Sequence, residues 1–348
     1  RTRDRETTSP ADEEPDREAE RSTARSRGST SAPESEFGEI EMGRPMEEAP
    51  VLAREGEMVD PVQSPDAAST PPAPLVEEEW ERPENASSPA EARVLDRVER
   101  GFALIQRNEP VEARRMLTEA LDAPQLGEDV KAEIRAALTA VNERLVFSPA
   151  IHPDDPFAIE YRIQSGDALS MLPKKLGVLT DWRFAQRINR IRDPRRIQVG
   201  QRLKLVTGPF HAEIDKSDYR LDLYLDDGEE RAYVCSFPVG LGEYDQTPEG
   251  RFIVRPQSKL LNPEWRDPRT RKLYYANDPD NPIGEHWIGL KASEERLEGV
   301  NGYGIHGTIE PESIGQQASM GCVRMLADDV AIVWEALAEE VSRVVIHR

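Results

Sequence analysis

The chain has 348 residues and a formal net charge of −21 at pH 7, with 32% charged and 37% hydrophobic residues. An acidic chain does not attract the phosphate backbone of nucleic acids, so no nucleic-acid partner is expected. Two cysteines exclude a disulfide framework, and no run reaches the roughly 18 apolar residues of a membrane span. The length allows two or three domains.

Residues 1–89 are rich in Pro, Glu, Ser, Thr and Ala, and their apolar residues follow no period. Such a segment buries too little apolar surface to offset the entropy lost on ordering, so we predict a disordered tether. Trp80 within it is expected to be an exposed aromatic side chain. The chain begins at Arg1 without a signal-peptide pattern, so membrane attachment is expected only through an anchor preceding this residue.

Helical periodicity begins near Glu91 and predicts a helical segment over residues 90–148. Apolar residues recur at intervals of three and four in three stripes, which "RNEP" and "DAPQLGED" separate. The stretch "GFALIQRNEPVEARRMLTEAL" resembles one tetratricopeptide-type helical hairpin, and a third helix follows it. A single unit is too short for a solenoid, so we expect a small helical spacer.

Residues 160–206 form the next predicted domain, with the order strand, helix, helix, strand. Asp167 in "SGDALS" is placed to accept hydrogen bonds from free amides at the start of the first helix. Pro173 falls inside that helix and is expected to kink or shorten it. Together with "INR" and "VGQRLKL", these stretches resemble the LysM domain, a module that binds N-acetylglucosamine polymers. Ala168 departs from that family, which usually has a hydroxyl residue here.

The last predicted domain covers residues 208–348, where the apolar period changes to two. "YRLDLYLDDGEERAYVCSFPVGLG" predicts two strands around Asp227-Gly228, a strong hairpin signal. Cys235 in the second strand is expected to pack in the core. Further strands are predicted at "TPEGRFIV", "HWIGL", "YGIHGT" and "SRVVIHR", with one helix from Asp328 to about Glu340. A mostly antiparallel sandwich with one packed helix fits this order, which makes the whole chain a multidomain α+β protein.

Cys322 in "SMGCVRM" is a candidate nucleophile, sixteen residues after His306 in "IHGT". A thiol attacks as the thiolate, and a nearby imidazole can take its proton and return it to a leaving amine. Gly321 lets the backbone approach a substrate carbonyl, and the amides of Gly321 and Cys322 are placed to stabilise an oxyanion. Gly307 has no side chain, so a backbone carbonyl is expected to orient His306. The alternative is a buried core cysteine.

The string "GYGIHGTIEPESIGQQASMGCVRMLADDV" resembles the active-site signature of the L,D-transpeptidase family, also called the YkuD domain. "TPEG" (247–250) and "NPIGEHWIGL" (281–290) stand where that family has similar stretches, so the resemblance covers residues 210–348. By position it implies that Cys322 is the nucleophile, His306 the general base and Gly321 part of the oxyanion hole.

Other residues of the motif take supporting roles by the same resemblance. Ser319 is expected to fix the loop by hydrogen bonding. Arg324 is expected to hold the loop or a substrate carboxylate, and a purely structural ion pair is the alternative. Met320 departs from the family, in which many members have a histidine or a basic residue.

A long insertion follows Arg255 and reads "PQSKLLNPEWRDPRTRKLYYANDPDNP". Loops of this length in a domain are often lids or binding loops. Its aromatic residues and one beyond it are candidates for a cleft wall, or they pack the loop on the sheet: Trp265, Tyr274, Tyr275 and Trp287. Its basic residues are candidates for contacts with peptide carboxylates: Arg266, Arg269, Arg271 and Lys272.

The resemblance implies a cell-envelope, cysteine-dependent L,D-transpeptidase that needs no metal or organic cofactor. Cys322 would attack the carbonyl of the L-centre in a peptidoglycan tetrapeptide stem and expel D-alanine, and an amine of another stem would complete a 3→3 cross-link. The implied partners are peptidoglycan stem peptides, and glycan strands through the LysM-like domain. Two alternatives are an L,D-carboxypeptidase, with water as acceptor, and a non-catalytic peptidoglycan-binding scaffold.

Overall fold

The computed structural model describes residues 80–83 and 88–348, all of which belong to the unit Phe37–Arg348. The predicted tether, residues 1–89, lies outside the described residues except for 80–83, 88 and 89. Within the described part, no helix combines the length and the apolar composition needed to cross a membrane.

Trp80 and Arg82 lie against the first helix, α1 (Pro89–Gln106). The ring of Trp80 stacks on Phe102, with ring centroids 5.5 Å apart, and the guanidinium of Arg82 pairs with Asp96 at 2.6 Å. The expectation of an exposed aromatic side chain is therefore wrong. Phe102 offers an apolar face, and stacking on it leaves Trp80 half-buried.

Among the described residues, three helices precede the first strand and share one hydrophobic core with the large sheet of residues 208–348. After α1 come α2 (Pro110–Leu121) and α3 (Glu128–Leu145). Ser88 caps α1 by accepting a hydrogen bond from the amide of Glu91 at 3.1 Å. Asn142 of α3 donates to the carbonyl oxygens of Tyr233 and Val234 at 2.8 and 3.1 Å. The helical segment is thus packed on the sheet, whereas the sequence suggested only a spacer.

Residues 158–206 form a strand–helix–helix–strand unit with a small core of its own. The elements are β1 (Ala158–Arg162), α4 (Leu172–Leu176), α5 (Trp182–Ile188) and β2 (Arg202–Val206), and the two strands pair antiparallel. Pro173 lies in the first turn of α4, and a short 3₁₀ turn, Leu169–Met171, precedes it. The first helix is therefore short, as Pro173 predicted. Membership of the LysM family stays a prediction.

Asp167 does not cap a helix, contrary to expectation. Its carboxylate accepts hydrogen bonds from the Tyr161 hydroxyl at 2.7 Å, the Gln164 amide at 2.8 Å and the Lys175 ammonium at 2.7 Å. These bonds, that of Lys175 foremost, lower the pKa of Asp167 to about 2. The tight turn directs the side chain back to β1, so it ties that strand to α4 instead of serving the helix start.

One eight-stranded mixed sheet forms the frame of residues 208–348. Its strands are β3 (Phe210–Asp215), β4 (Arg220–Asp226), β5 (Arg231–Pro238), β7 (Gly250–Leu261), β10 (His286–Ala292), β11 (Gly304–His306), β13 (Val323–Arg324) and β14 (Arg343–His347). They lie in the order β13-β11-β10-β7-β14-β3-β4-β5. Within this sheet, only β14–β3 and β11–β13 pair in parallel. The predicted sandwich is corrected, because β14 lies between β7 and β3 and joins both halves into a single sheet.

Two small ribbons and one helix complete this part of the chain. Strand β6 (Leu241–Gly242) pairs with β12 (Gln317–Ser319), and β8 (Trp265–Arg266) pairs with β9 (Leu273–Tyr274) in the insertion. Helix α6 (Ala327–Ala336) is shorter than predicted, because Leu337 turns extended with ψ 140°. The hairpin around Asp227-Gly228 is confirmed by the antiparallel pairing of β4 and β5. Cys235 is buried, as predicted.

Candidate functional site

Strand pairing places the chain segments that carry Cys322 and His306 side by side. Strands β11 and β13 run parallel, with Ile305 opposite Val323 and His306 opposite Arg324. Side chains alternate between the two faces of a strand. Ile305 and Val323 are buried in the core, so His306 lies on the other face. Cys322 immediately precedes β13, two residues before Arg324, and by the same alternation it lies on the face of His306.

His306 is buried and held by its own backbone. Its Nδ1 lies 2.6 Å from the carbonyl oxygen of Gly307. A carbonyl oxygen only accepts, so Nδ1 carries the proton and the Nε2 lone pair is left free. This is the backbone carbonyl that the sequence required, and the residue is Gly307. The imidazole also stacks on the ring of Trp287, with centroids 5.7 Å apart and planes 16° apart.

Burial sets the protonation of both groups. It lowers the pKa of His306 to about 4, and the positive charge of Arg324 acts in the same direction. Burial raises the pKa of the Cys322 thiol to about 11, although a hydrogen bond from the Gly304 backbone and the charge of Arg324 oppose this. The resting pair at pH 7 is therefore a neutral thiol and a neutral imidazole, not a thiolate–imidazolium pair.

The loop before Cys322 is closed by Ser319. Its hydroxyl donates to the carbonyl oxygen of Cys322 at 2.6 Å and accepts from the amide of Gly321 at 3.1 Å. Ser319 thus makes the loop contacts that its predicted role requires. The Gly321 amide, expected in the oxyanion hole, is already engaged, so a substrate oxyanion would have to share or displace this bond.

Arg324 forms an ion pair with Glu310 of the preceding loop, at 2.8 Å. The Arg324 side chain is 14% exposed and that of Glu310 53%. This ion pair ties the loop to β13, and a role of Arg324 toward a substrate carboxylate stays a prediction. The same guanidinium is the positive charge that acts on His306 and Cys322.

Cys322 packs against a small buried cluster that contains two tryptophans. Trp265, Ile283 and Trp287 form this cluster, and Met320 and Tyr274 also pack against it. Trp265 stacks on Tyr274, with ring centroids 5.8 Å apart. Of the four aromatic residues expected in a wall, Trp265 and Trp287 thus belong to the cluster that Cys322 contacts, and Tyr274 lies at its edge. Tyr275 is not part of the cluster, and it is 65% exposed.

The basic residues of the insertion lie at its exposed surface. Arg269 pairs with Glu243 at 3.2 Å, and the ammonium of Lys272 lies 4.2 Å from the ring centre of Tyr274. The guanidinium of Arg266 donates to the carbonyl oxygen of Arg271 at 3.0 Å. The structure does not place any of the four against Cys322. In residues 80–83 and 88–348, no three His, Cys, Asp or Glu side chains group as a metal site requires.

Sequence reasoning missed Tyr303, although the string "GYGIHGT" contains it. A Cβ on Gly321, whose φ is +116°, would lie 2.5 Å from Cε1 of the Tyr303 ring. The ring of Tyr303 therefore lies directly against Gly321 and leaves no room for a side chain there. The thiol of Cys322 donates to the carbonyl oxygen of the neighbouring Gly302, with the two atoms 3.8 Å apart.

Gly321→Ala is expected to lower the rate of Cys322 acylation at least about tenfold, because strain at positive φ and the Tyr303 ring both oppose the methyl group. Gly315→Ala is the matched control. Gly315 has φ +77° but no heavy atom within 4 Å of its added Cβ, so only backbone strain changes. Single-turnover acylation by mass spectrometry measures both. Equal rates for the two variants would show that the Tyr303 contact does not position the loop.

Alkylation of Cys322 by iodoacetamide is expected to be slow at pH 7 and to rise about tenfold per pH unit up to about pH 10. The pKa of about 11 leaves a small thiolate fraction at neutral pH. Cys235, whose thiol pKa burial also raises, is expected to react more slowly still. Peptide mass spectrometry at each pH follows both thiols. A plateau for Cys322 between pH 6 and 8 would contradict the neutral pair.

Comparison with known proteins matches residues 209–346 to the L,D-transpeptidase catalytic domain, YkuD. The putative L,D-transpeptidase YqjB of Bacillus subtilis is 36% identical over 133 residues, which are 37% of this chain and 67% of that protein. The putative L,D-transpeptidase YkuD of Bacillus licheniformis is 32% identical over 36% of this chain and 58% of its own length.

An L,D-transpeptidase from Mycobacterium tuberculosis H37Rv, known from an X-ray crystal structure, covers 44% of this chain and 75% of its own. At 12% identity and a TM-score of 0.30, it carries no argument about this chain. The family match is informative, because residues 209–346 contain both His306 and Cys322. Through residues 209–346, this chain belongs to the L,D-transpeptidase family.

Proposed function

We propose that the chain is a cysteine-dependent peptidoglycan L,D-transpeptidase that forms 3→3 cross-links and releases D-alanine. One observation carries the proposal. The imidazole of His306 is locked by the Gly307 carbonyl with Nε2 free, on the strand face that also presents Cys322. A buried base with one fixed tautomer, next to a thiol, is what nucleophilic acyl transfer requires.

In the first half-reaction, Nε2 of His306 takes the Cys322 proton while Sγ attacks the carbonyl carbon of the L-centre. The carbonyl becomes an oxyanion, which the Cys322 amide is placed to stabilise. When the oxyanion collapses, the bond to the D-alanine nitrogen breaks and His306 gives that nitrogen its proton. A thioester and free D-alanine result.

In the second half-reaction, an amine of another stem attacks the thioester carbonyl and loses a proton to Nε2. Collapse forms the new amide, breaks the carbon–sulfur bond, and returns the proton from His306 to Sγ. Because both groups are neutral at rest, each half-reaction begins and ends without a buried ion pair, whose desolvation is costly. No metal or organic cofactor takes part in either step.

Residues 158–206 are proposed to be a LysM-like module that holds the enzyme on glycan strands in the cell envelope. The strand–helix–helix–strand order of this unit supports the assignment. It is also joined to the catalytic domain, because the amide of Asp181 donates to the carbonyl oxygen of Glu335 in α6 at 2.8 Å. Substrate recognition and chemistry would then take place on one rigid body.

The test is mass spectrometry of a disaccharide-tetrapeptide incubated with the full chain. A cross-linked dimer together with released D-alanine is the expected result. A tripeptide without dimer would replace the proposal with an L,D-carboxypeptidase, in which water accepts the acyl group. No product and no acyl adduct would favour a non-catalytic peptidoglycan-binding scaffold.

A further inference from the structure

Residues 158–206 are basic in an otherwise acidic chain. They contain eleven arginines and lysines but four aspartates and glutamates, a net charge of +7, whereas the whole chain has −21. The cations concentrate between α5 and β2, in residues 187–196, which we call the arginine segment. Its five arginines are all exposed: Arg187, Arg190, Arg192, Arg195 and Arg196. No lysine occurs in it.

Two carboxylates, those of Asp193 and Glu335, neutralise part of the charge of the five arginines. Asp193 supplies the only carboxylate within the segment. It pairs with Arg195 at 3.0 Å and Arg196 at 3.5 Å, and these two side chains remain 81% and 86% exposed. Arg190 and Arg192 have no ion-pair partner in the described part of the chain. Like-charged side chains crowded on one loop repel each other, so external anions are favoured there.

The segment is fixed relative to the catalytic sheet. Arg187, at its start, makes a bidentate ion pair with Glu335 of α6, with both N–O distances 2.7 Å. The ring of Phe184, one turn earlier in α5, packs edge-on against Phe210 of β3 at 5.4 Å. A polymer bound to the arginine segment is therefore held at a constant distance from the sheet that carries Cys322.

We propose that the arginine segment binds the carboxylates of peptidoglycan stem peptides, so that the unit holds a strand by the charge of its stems. The inference rests on the proposed function, in which such stems are the substrate and end in the D-alanine carboxylate. A guanidinium fork matches a carboxylate, which accounts for arginine rather than lysine at the four positions beyond Arg187. Each exposed pair is weak, so binding depends on several stems along one strand.

The experiment measures co-sedimentation of the full chain, carrying Cys322→Ala, with insoluble peptidoglycan. The second ligand is the same peptidoglycan after an amidase has removed its stem peptides. Long-chain polyphosphate is added as a soluble competitor of peptidoglycan binding. The test variant removes three charges: Arg190→Gln, Arg192→Gln and Arg196→Gln. The matched control removes three exposed arginines elsewhere: Arg93→Gln, Arg107→Gln and Arg251→Gln. All these side chains are exposed, and circular dichroism checks that both proteins fold.

The expected result is about tenfold weaker binding of intact peptidoglycan by the test variant, and unchanged binding by the control. The parent should bind stem-free glycan about tenfold more weakly than intact material, and 1 M salt should abolish the difference. Equal binding of stem-free glycan would overturn the proposal in favour of sugar recognition. If the chain binds polyphosphate more strongly than intact peptidoglycan, the proposal would be overturned in favour of a phosphate polymer as the ligand. Because the binding assay needs no turnover, its result can be interpreted even if the transpeptidation assay fails.

Discussion

Cys322→Ala is expected to abolish the acyl-enzyme and to lower D-alanine release by at least about 10⁴-fold. The methyl group of alanine cannot attack a carbonyl. His306→Gln is expected to lower release by about 10²–10⁴-fold, because the glutamine amide can still donate to the Gly307 carbonyl but cannot take a proton from the thiol. Intact-protein mass spectrometry detects the adduct, and chromatography measures free D-alanine.

The double variant is the sharper test of a working pair. If His306 acts only through Cys322, the double variant should be no slower than Cys322→Ala alone. Cys235→Ala is the matched control, because Cys235 is the other free thiol of the chain and lies buried in β5. It should retain full activity. An adduct on the Cys322→Ala protein, or loss of the adduct in the Cys235→Ala protein, would contradict the assignment of Cys322 as the nucleophile.

The local parts of this site were predictable from the sequence because they depend on short-range chemistry. A glycine after His306 leaves only the backbone to hold the ring, and the Gly307 carbonyl does so. A serine two residues before Gly321 is within reach of the loop amides, and it closes the loop. The alternating pattern around Asp227-Gly228 likewise predicts a hairpin, because its two strands are neighbours in the chain.

The parts that were not predictable depend on partners far away in the chain. Strand β14 pairs with β7 and β3 across about a hundred residues, and alternation alone does not choose such partners. The stacking of Trp287 on His306 follows from the register of β10 with β11. The depressed pKa of His306 follows from burial, which no motif encodes. The sequence thus indicates the candidate reactive residues, and the sheet determines how deeply they are buried and therefore the direction of their pKa shifts.

Arg114→Ala is expected to lower the free energy of unfolding by about 3–5 kcal/mol, because it leaves a buried carboxylate unpaired. Arg114 of α2 pairs with Asp155 at 2.7 Å, and the two side chains are 0% and 2% exposed. Asp155 belongs to the segment that leads into β1, and its carboxylate also accepts from the amide of Phe157 at 3.1 Å. Urea denaturation followed by circular dichroism measures the loss.

Arg115→Ala provides the matched control on the same helix. Arg115 pairs with Glu112 and Glu119, but its side chain is 44% exposed, so its loss should cost no more than about 0.5 kcal/mol. Arg114→Met combined with Asp155→Asn removes both charges and should recover much of the stability lost in Arg114→Ala. Equal losses for Arg114→Ala and Arg115→Ala would show that α2 is not coupled to the segment before β1. If Arg114→Ala instead shifts one cooperative urea transition, the helices, residues 158–206 and the catalytic sheet unfold together. A rigid link between wall binding and catalysis requires this behaviour.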